Sequence, residues 1–146
     1  MREHHSSLEC DPHPPLPNID QVEYARPHWE GLQEEQLLIQ ECSDCGERQH
    51  FPRPWCQYCG SEAIEWIESD GTATLYSYSI PRRVVEVYEY EPALPYVMGY
   101  VDLDVGVRFV SNVVNCDVDD VEIGMELEAV FDHVTDDVTL VRFEPM

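Results

Sequence analysis

The chain has 146 residues, 30 acidic against 8 basic, for a formal net charge of −22. Hydrophobic residues are 43% of it, too many for the disordered tails that carry such charge, so one ordinary domain or two very small ones can form a core. No apolar run approaches the roughly 18–20 residues of a membrane span, and Met1-Arg2-Glu3-His4-His5-Ser6 lacks the apolar stretch of a secretory signal; a cytoplasmic protein without membrane contact is expected.

Residues 1–20 hold four of the eleven prolines and three of the six histidines, with few large apolar residues. Such a segment cannot offset chain entropy by burial, and an acidic, proline-rich disordered tail is predicted, with His4, His5 and His13 solvated. From Val22 to Leu32, Tyr24, His28, Trp29 and Leu32 share one face of a short helix. Pro27 is tolerable only in its first turn, so the helix should start near Arg26, and Gly31 should weaken its end. Gln36 to Gln40 reads as a strand running into Cys42. Helix and cysteine-bearing module together occupy residues 21–66.

Beyond Trp66 the pattern becomes that of strands: Thr72 to Ile80, Tyr96 to Leu103, Val107 to Val114, Met125 to Phe131 and Val138 to Phe143. Asp104-Val105-Gly106 and Thr135-Asp136-Asp137 are hairpin turns between the second and third and the fourth and fifth, and Gly124 turns the chain into the fourth. Five short strands without a helical period predict a five-stranded barrel of the oligonucleotide/oligosaccharide-binding (OB) kind over residues 67–146, with a small sandwich as the competitor. The expected fold is mainly β: an N-terminal helix plus a rubredoxin-like zinc ribbon, then an OB-fold barrel.

Cys42-Ser43-Asp44-Cys45-Gly46 and Cys56-Gln57-Tyr58-Cys59-Gly60 are two knuckles of one type, ten residues apart. Each brings two thiolates to one side of a tight loop, and the glycine turns the chain back with its amides aimed at the sulfurs. Together Cys42, Cys45, Cys56 and Cys59 supply a tetrahedron of sulfurs for structural Zn2+ at about 2.3 Å. An iron site could use the same ligands, and disulfides are disfavoured without a secretory signal. Four protein ligands leave no open coordination position, so the metal is a staple for a ribbon too short to hold itself by burial. Cys10 and Cys116 read as passive thiols.

The helix with Pro27-His28-Trp29-Glu30-Gly31-Leu32, the strand Leu37-Leu38-Ile39-Gln40-Glu41-Cys42 and the knuckles around Pro52-Arg53-Pro54-Trp55 come in order. Thr74-Leu75-Tyr76-Ser77-Tyr78-Ser79, Pro95-Tyr96-Val97-Met98-Gly99-Tyr100-Val101, Gly106-Val107-Arg108, Ile123-Gly124-Met125 and Arg142-Phe143-Glu144-Pro145 follow. Over about residues 24–146 this order resembles the acyl-CoA-associated zinc-ribbon/OB-fold family, classed as a domain of unknown function. The chain departs from the family at Gly71-Thr72-Ala73, where Gly-x-Gly is common, and at Gln57, where proline is usual. The resemblance implies a non-catalytic accessory or scaffold subunit. Its partner would be a thiolase-like or 3-hydroxy-3-methylglutaryl-CoA synthase-like enzyme in acyl-CoA metabolism of the acetoacetyl-CoA, mevalonate or polyhydroxyalkanoate type.

Three classes of function compete. For an acyl-CoA scaffold, Arg82 and Arg83 are candidate partners of CoA phosphates through forked guanidinium hydrogen bonds. Trp29 and Trp55 are candidate contacts for a protein partner or a pantetheine arm, with core cement as the competing role for these and Trp66. A single-stranded nucleic-acid module is the alternative, but it needs a positive track beside stacking aromatics, and Asp117 to Asp137 holds nine acidic residues and no arginine. An enzyme would need an acid–base pair. His28, His50 and His133 lie near Glu30, Glu47 and Asp132 only in sequence, and read as solvated surface histidines. All eight basic residues are arginine. Hydrated carboxylates without lysine suit concentrated salt, where self-repulsion is screened within roughly 3 Å, so the charge indicates a halophilic setting rather than a ligand.

Overall fold

The structure, a computed structural model, describes residues 16–20, 22–83 and 95–146. The predicted tail falls outside the described residues up to position 15, and His4, His5, Cys10 and His13 with it. A 3-10 turn, Glu23–Ala25, leads into α1, Arg26–Gln33, with Pro27 in the first turn, where its missing N–H costs nothing. Gly31 does more than loosen the helix end. A Cβ there would stand 3.0 Å from the Gln36 carbonyl oxygen and 3.0 Å from Leu38 Cδ1, so glycine lets the next strand pass against the helix.

That strand, β1 (Leu37–Cys42), is the centre of a three-stranded antiparallel sheet with β2 (Arg48–Gln49) on one side and β3 (Ile64–Ser69) on the other. Neither partner was predicted. β2 is two residues long and has no period, while β3 follows the second knuckle so closely that its Ile64-Glu65-Trp66-Ile67 reads as a linker until β1 is beside it.

The barrel is closed in the order β4-β5-β6-β8-β7, from β4 (Thr72–Ser79), β5 (Val97–Leu103), β6 (Arg108–Val113), β7 (Glu126–His133) and β8 (Thr139–Pro145). The two predicted hairpins are present as the antiparallel pairs β5–β6 and β7–β8. Closure comes from the parallel pairing of β6 with β8 at Val113 and Phe143, which keeps the barrel and excludes the sandwich. Gly124 acts as expected: its N–H donates to the Leu75 carbonyl while Leu75 N–H donates to that of Met125, seating β7 against β4.

Inward-facing alternate positions, among them Leu75, Val101, Phe109, Leu127 and Phe143, fill the barrel. Leu32 of α1 and Leu37 and Ile39 of β1 belong to the same buried cluster, so ribbon and barrel share one core. Polar ties reinforce the join: the Arg48 guanidinium donates to the Val105 carbonyl at 3.0 Å, and Gln33 reaches the Asp136 carbonyl at 3.1 Å. Asp132 and Arg142, on β7 and β8, form a fully buried ion pair at 3.1 Å. No helix among the described residues is long and apolar enough to cross a membrane.

Candidate metal centre and the surfaces beside it

The two knuckles repeat one backbone pattern. Gly46 N–H donates to the Cys42 carbonyl at 2.9 Å and Gly60 N–H to that of Cys56 at 2.9 Å; both glycines have positive φ, 77° and 78°, where a side chain would be strained. Cys42 and Cys56 N–H in turn donate to Glu47 and Ser61 carbonyls at 2.9 and 2.8 Å. Cys42 and Cys56 are buried while Cys45 and Cys59 face solvent. All four sulfurs lie within 4.8 Å of one another, and the Cys42–Cys59 and Cys45–Cys56 pairs are each 3.6 Å apart. A tetrahedral site with Zn–S of about 2.3 Å has edges of about 3.8 Å, so the four predicted ligands are brought together at the spacing a structural metal requires.

The electrostatics point the same way. The Cys45 thiol is pushed up to about 12: a hydrogen bond with the Glu47 backbone lowers it, but desolvation and the three neighbouring thiols outweigh that bond. Cys56 is drawn down to about 7, where burial raises it but the Cys59 and Tyr58 amides and neighbouring thiols more than offset the burial. Four thiols this close oppose each other's ionisation, and a divalent cation removes the conflict, because thiolate is the ligand form.

Sequence reasoning missed what holds the second knuckle. Gln40 and Gln49, register partners on β1 and β2, are both buried. Gln40 mimics a strand edge towards Arg53, accepting from its N–H and donating to its carbonyl, each at 2.9 Å. Gln49 accepts from Gln57 N–H at 2.9 Å and donates to the Trp55 carbonyl at 3.0 Å, gripping the peptides on both sides of Cys56, and also donates to Gln40 at 2.7 Å. The available signal was two amides at facing strand positions beside a cysteine loop; it is visible only once β2 is known.

The remaining predicted residues do not converge on one site. Trp55 is 52% exposed, against the competing expectation of core, with Phe51 and Tyr58 also exposed on the ribbon. Trp29 is half-buried, edge-on to His28 at 4.8 Å. Arg82 and Arg83 stand exposed just beyond β4, bordering residues outside the described set. Three other arginines are engaged within the chain: Arg48 with Glu41 at 2.8 Å, Arg108 with Asp102 at 2.8 Å, and Arg142 with Asp132.

The reading of the histidines as solvated needs correction for two of the three. His28 is 5% exposed and His50 sits against Phe109 with ring centroids 4.2 Å apart, because helix, ribbon loop and barrel converge on them. Burial lowers His28 to about 4 against a hydrogen bond with the Leu38 backbone that raises it, and lowers His50 to about 3 with His28 adding to the effect. Both are neutral at pH 7. His133 is partly exposed and meets Glu35 at 3.5 Å and Thr139 at 2.8 Å rather than its sequence neighbour Asp132.

Comparison with known proteins follows the same two modules. Residues 29–65 match the family described as "ChsH2, rubredoxin-like zinc ribbon domain", and residues 66–132 match "ChsH2, C-terminal OB-fold domain". A DUF35 domain-containing scaffold protein of Methanocaldococcus jannaschii is 32% identical over 111 residues, 75% of this chain and 77% of that protein. A probable enoyl-CoA hydratase alpha subunit of Thermomonospora curvata is 34% identical over 119 residues, 80% of this chain but 36% of that protein, so this chain spans about a third of the hydratase subunit. A solved structure of an Ltp2-ChsH2(DUF35) aldolase superposes with a TM-score of 0.75 at 31% identity, covering 89% of this chain and 98% of the matched one. The four-cysteine ribbon, the closed five-stranded barrel and these likenesses together place the chain in the DUF35 (ChsH2-type) family of zinc-ribbon/OB-fold proteins.

Proposed function

We propose that this protein is a non-catalytic scaffold subunit that works beside a thiolase-like or related acyl-CoA condensing enzyme in the cytoplasm of a salt-adapted cell. The observation that carries the reading is the 0.75 TM-score match, over nearly the whole matched chain, to the DUF35 component of an aldolase assembly. Physical features of the chain support it. A ribbon whose Cys42, Cys45, Cys56 and Cys59 converge at the spacing of a structural metal, for which we propose zinc, shares its core with the barrel. The loop between Gln49 and Cys56 is clamped by buried amides, so Trp55 is presented on a rigid support rather than on a floppy loop. Exposed tryptophans held this way are what binding hot spots are made of.

Arg82 and Arg83 are the proposed contacts for CoA phosphates, and Trp29 with Trp55 the contacts for partner or pantetheine. Among the described residues, Arg48, Arg108 and Arg142 are each engaged by a carboxylate, which favours this reading over a cationic track for nucleic acid. Affinity capture in concentrated KCl, with Trp55→Ala alongside, tests the proposal. Recovery of a thiolase-like enzyme that is lost in the variant, which should cost at least ~2 kcal/mol of binding at a hot spot, is the expected result. Purified chain that captures no such enzyme, or that turns over an acyl-CoA unaided, would overturn it.

A further inference from the structure

Where α1 meets the ribbon loop the surface keeps a lobe of ≈440 Å³, walled chiefly by Pro17, Tyr24, Trp29, Phe51 and Pro52. Tyr24 and Phe51 are 47% and 71% exposed, and Trp29 is half-buried. The loop side is held in place, because both backbone groups of Arg53 are bonded to Gln40 at 2.9 Å. Among the described residues no carboxylate lines the lobe, in a chain of net charge −22, and Arg53 supplies its one fixed charge. A preformed aromatic groove of this kind is what polyproline segments dock into.

The chain brings such a segment to the edge of the lobe. Leu16 and Pro17 are half-buried rather than solvated, and Pro17 and Asn18 are themselves part of the wall. The Asn18 side-chain oxygen accepts from Asp20 N–H at 3.2 Å, closing a turn between the lobe and the 3-10 turn that precedes α1. Fifteen residues of the sequence come before Leu16, and those nearest to it are Glu9-Cys10-Asp11-Pro12-His13-Pro14-Pro15. Proline fixes φ near −65° and pushes the residue before it towards extended backbone, so positions 11–17 favour polyproline II. Such a segment has little conformational freedom left to lose on docking, and its prolines carry no N–H for an apolar wall to leave unpaired. Three residues per turn put Pro14, and then Asp11, on the face that Pro17 turns to the lobe. Proline thus follows proline onto the aromatic walls, and an acid follows towards a wall whose fixed charge is that of Arg53.

We propose that residues 9–15 lie back across this lobe as a strap, with Pro14 against Tyr24, Trp29 and Phe51 and Asp11 facing Arg53. The occupant of the groove is this chain's own proline segment. It covers Trp29, named above as a partner contact, so a protein partner and the strap compete for that surface. The inference stands on the lobe and on the sequence before it, and does not rest on the scaffold reading.

The test uses the full-length, zinc-loaded chain with fluorine-labelled tryptophan, the Trp29 resonance being assigned with Trp29→Phe. Its comparison is Pro12→Gly/Pro14→Gly/Pro15→Gly, which keeps the length of the segment and removes its preset extended backbone. The probe is a synthetic peptide of residues 9–17 with Cys10→Ser. The triple variant should move the Trp29 resonance, and saturating peptide should return it towards the wild-type position. Against a segment tethered at an effective concentration of about 1 mM, a peptide of Kd about 0.1 mM is weakened about tenfold, so the wild-type chain should bind it roughly tenfold more weakly than the variant. An unmoved Trp29 resonance in the variant, no binding of the peptide to the variant at millimolar concentration, or equal binding to both chains would overturn the proposal. So would a wild-type Trp29 resonance that shifts on dilution, because the segment in the groove would then belong to a second copy. None of these readouts needs a partner enzyme, so failure of the strap and failure of partner capture are separate results.

Discussion

Acidification from pH 7 to 5.5 should destabilise this protein by about 2–3 kcal/mol through two residues, His28 and His50. In the folded chain their pKa values are lowered to about 4 and about 3, chiefly by burial among Trp29, Phe51 and Phe109. In the unfolded chain both return to about 6.5. Below pH 6.5 the unfolded state therefore binds protons that the folded state refuses, and stability rises with pH across this window. The contribution is intact above the unfolded pKa and is lost progressively as pH falls towards the folded values. Integrating the linkage relation for one such imidazole from pH 7 to 5.5 gives about 1 kcal/mol, and about 2–3 kcal/mol for the pair. Carboxylates titrate mostly lower, near pH 4. Urea unfolding at constant KCl and free zinc, followed by tryptophan fluorescence, measures the loss. His50→Phe keeps an aromatic against Phe109 while removing one titrating ring, and should recover about half of it. His50 is the better target because His28 contributes to its shift, so removing His28 would alter both groups. A variant that loses as much stability as the wild type between these two pH values would refute the linkage argument.

Other outcomes follow from particular contacts. Asp132→Ala leaves the Arg142 guanidinium buried opposite an apolar methyl, where the pair now meets at 3.1 Å; chemical denaturation should show a loss of about 3–5 kcal/mol. Gln49→Leu preserves volume but releases Trp55 and Gln57, the residues on either side of Cys56. Competition with a chromophoric chelator should show zinc affinity reduced by about 10- to 100-fold, as for other groups that orient metal ligands. Raising KCl from tens of millimolar to molar should raise the thermal midpoint, because the Debye length contracts from roughly 30 Å towards 3 Å and screens a net charge of −22. A midpoint that falls with salt would contradict the salt-adapted reading.

What could be read from the sequence divides along physical lines. The knuckles were legible because metal geometry fixes ligand spacing within a few residues, and Cys42, Cys45, Cys56 and Cys59 do meet. The barrel strands were legible because runs of six to eight residues rich in strand-forming side chains lie between clear turn signals, and the strands fall where those runs do. Strands β2 and β3 were not, since one is too short to show a period and the other exists only by pairing with β1. Histidine burial was also hidden. His28 lies on a helix of eight residues, and nothing local announces that a ribbon loop and a barrel flank will close over it. The same holds for Asp132 and Arg142, two charges ten residues apart whose buried pairing depends on the β7–β8 register. Exposure of Trp55 follows from the Gln49 clamp, a long-range arrangement without a sequence period.

Metal content measured together with fold integrity bears most directly on the whole account. Mass spectrometric metal analysis of the purified chain should find one zinc per molecule. Removing it with a chelator, or replacing Cys45 and Cys59 by serine, should unfold the ribbon and abolish partner capture. A chain that carries no zinc, or whose near-ultraviolet dichroism and partner capture survive those replacements, would contradict the claim that four sulfurs make this surface rigid.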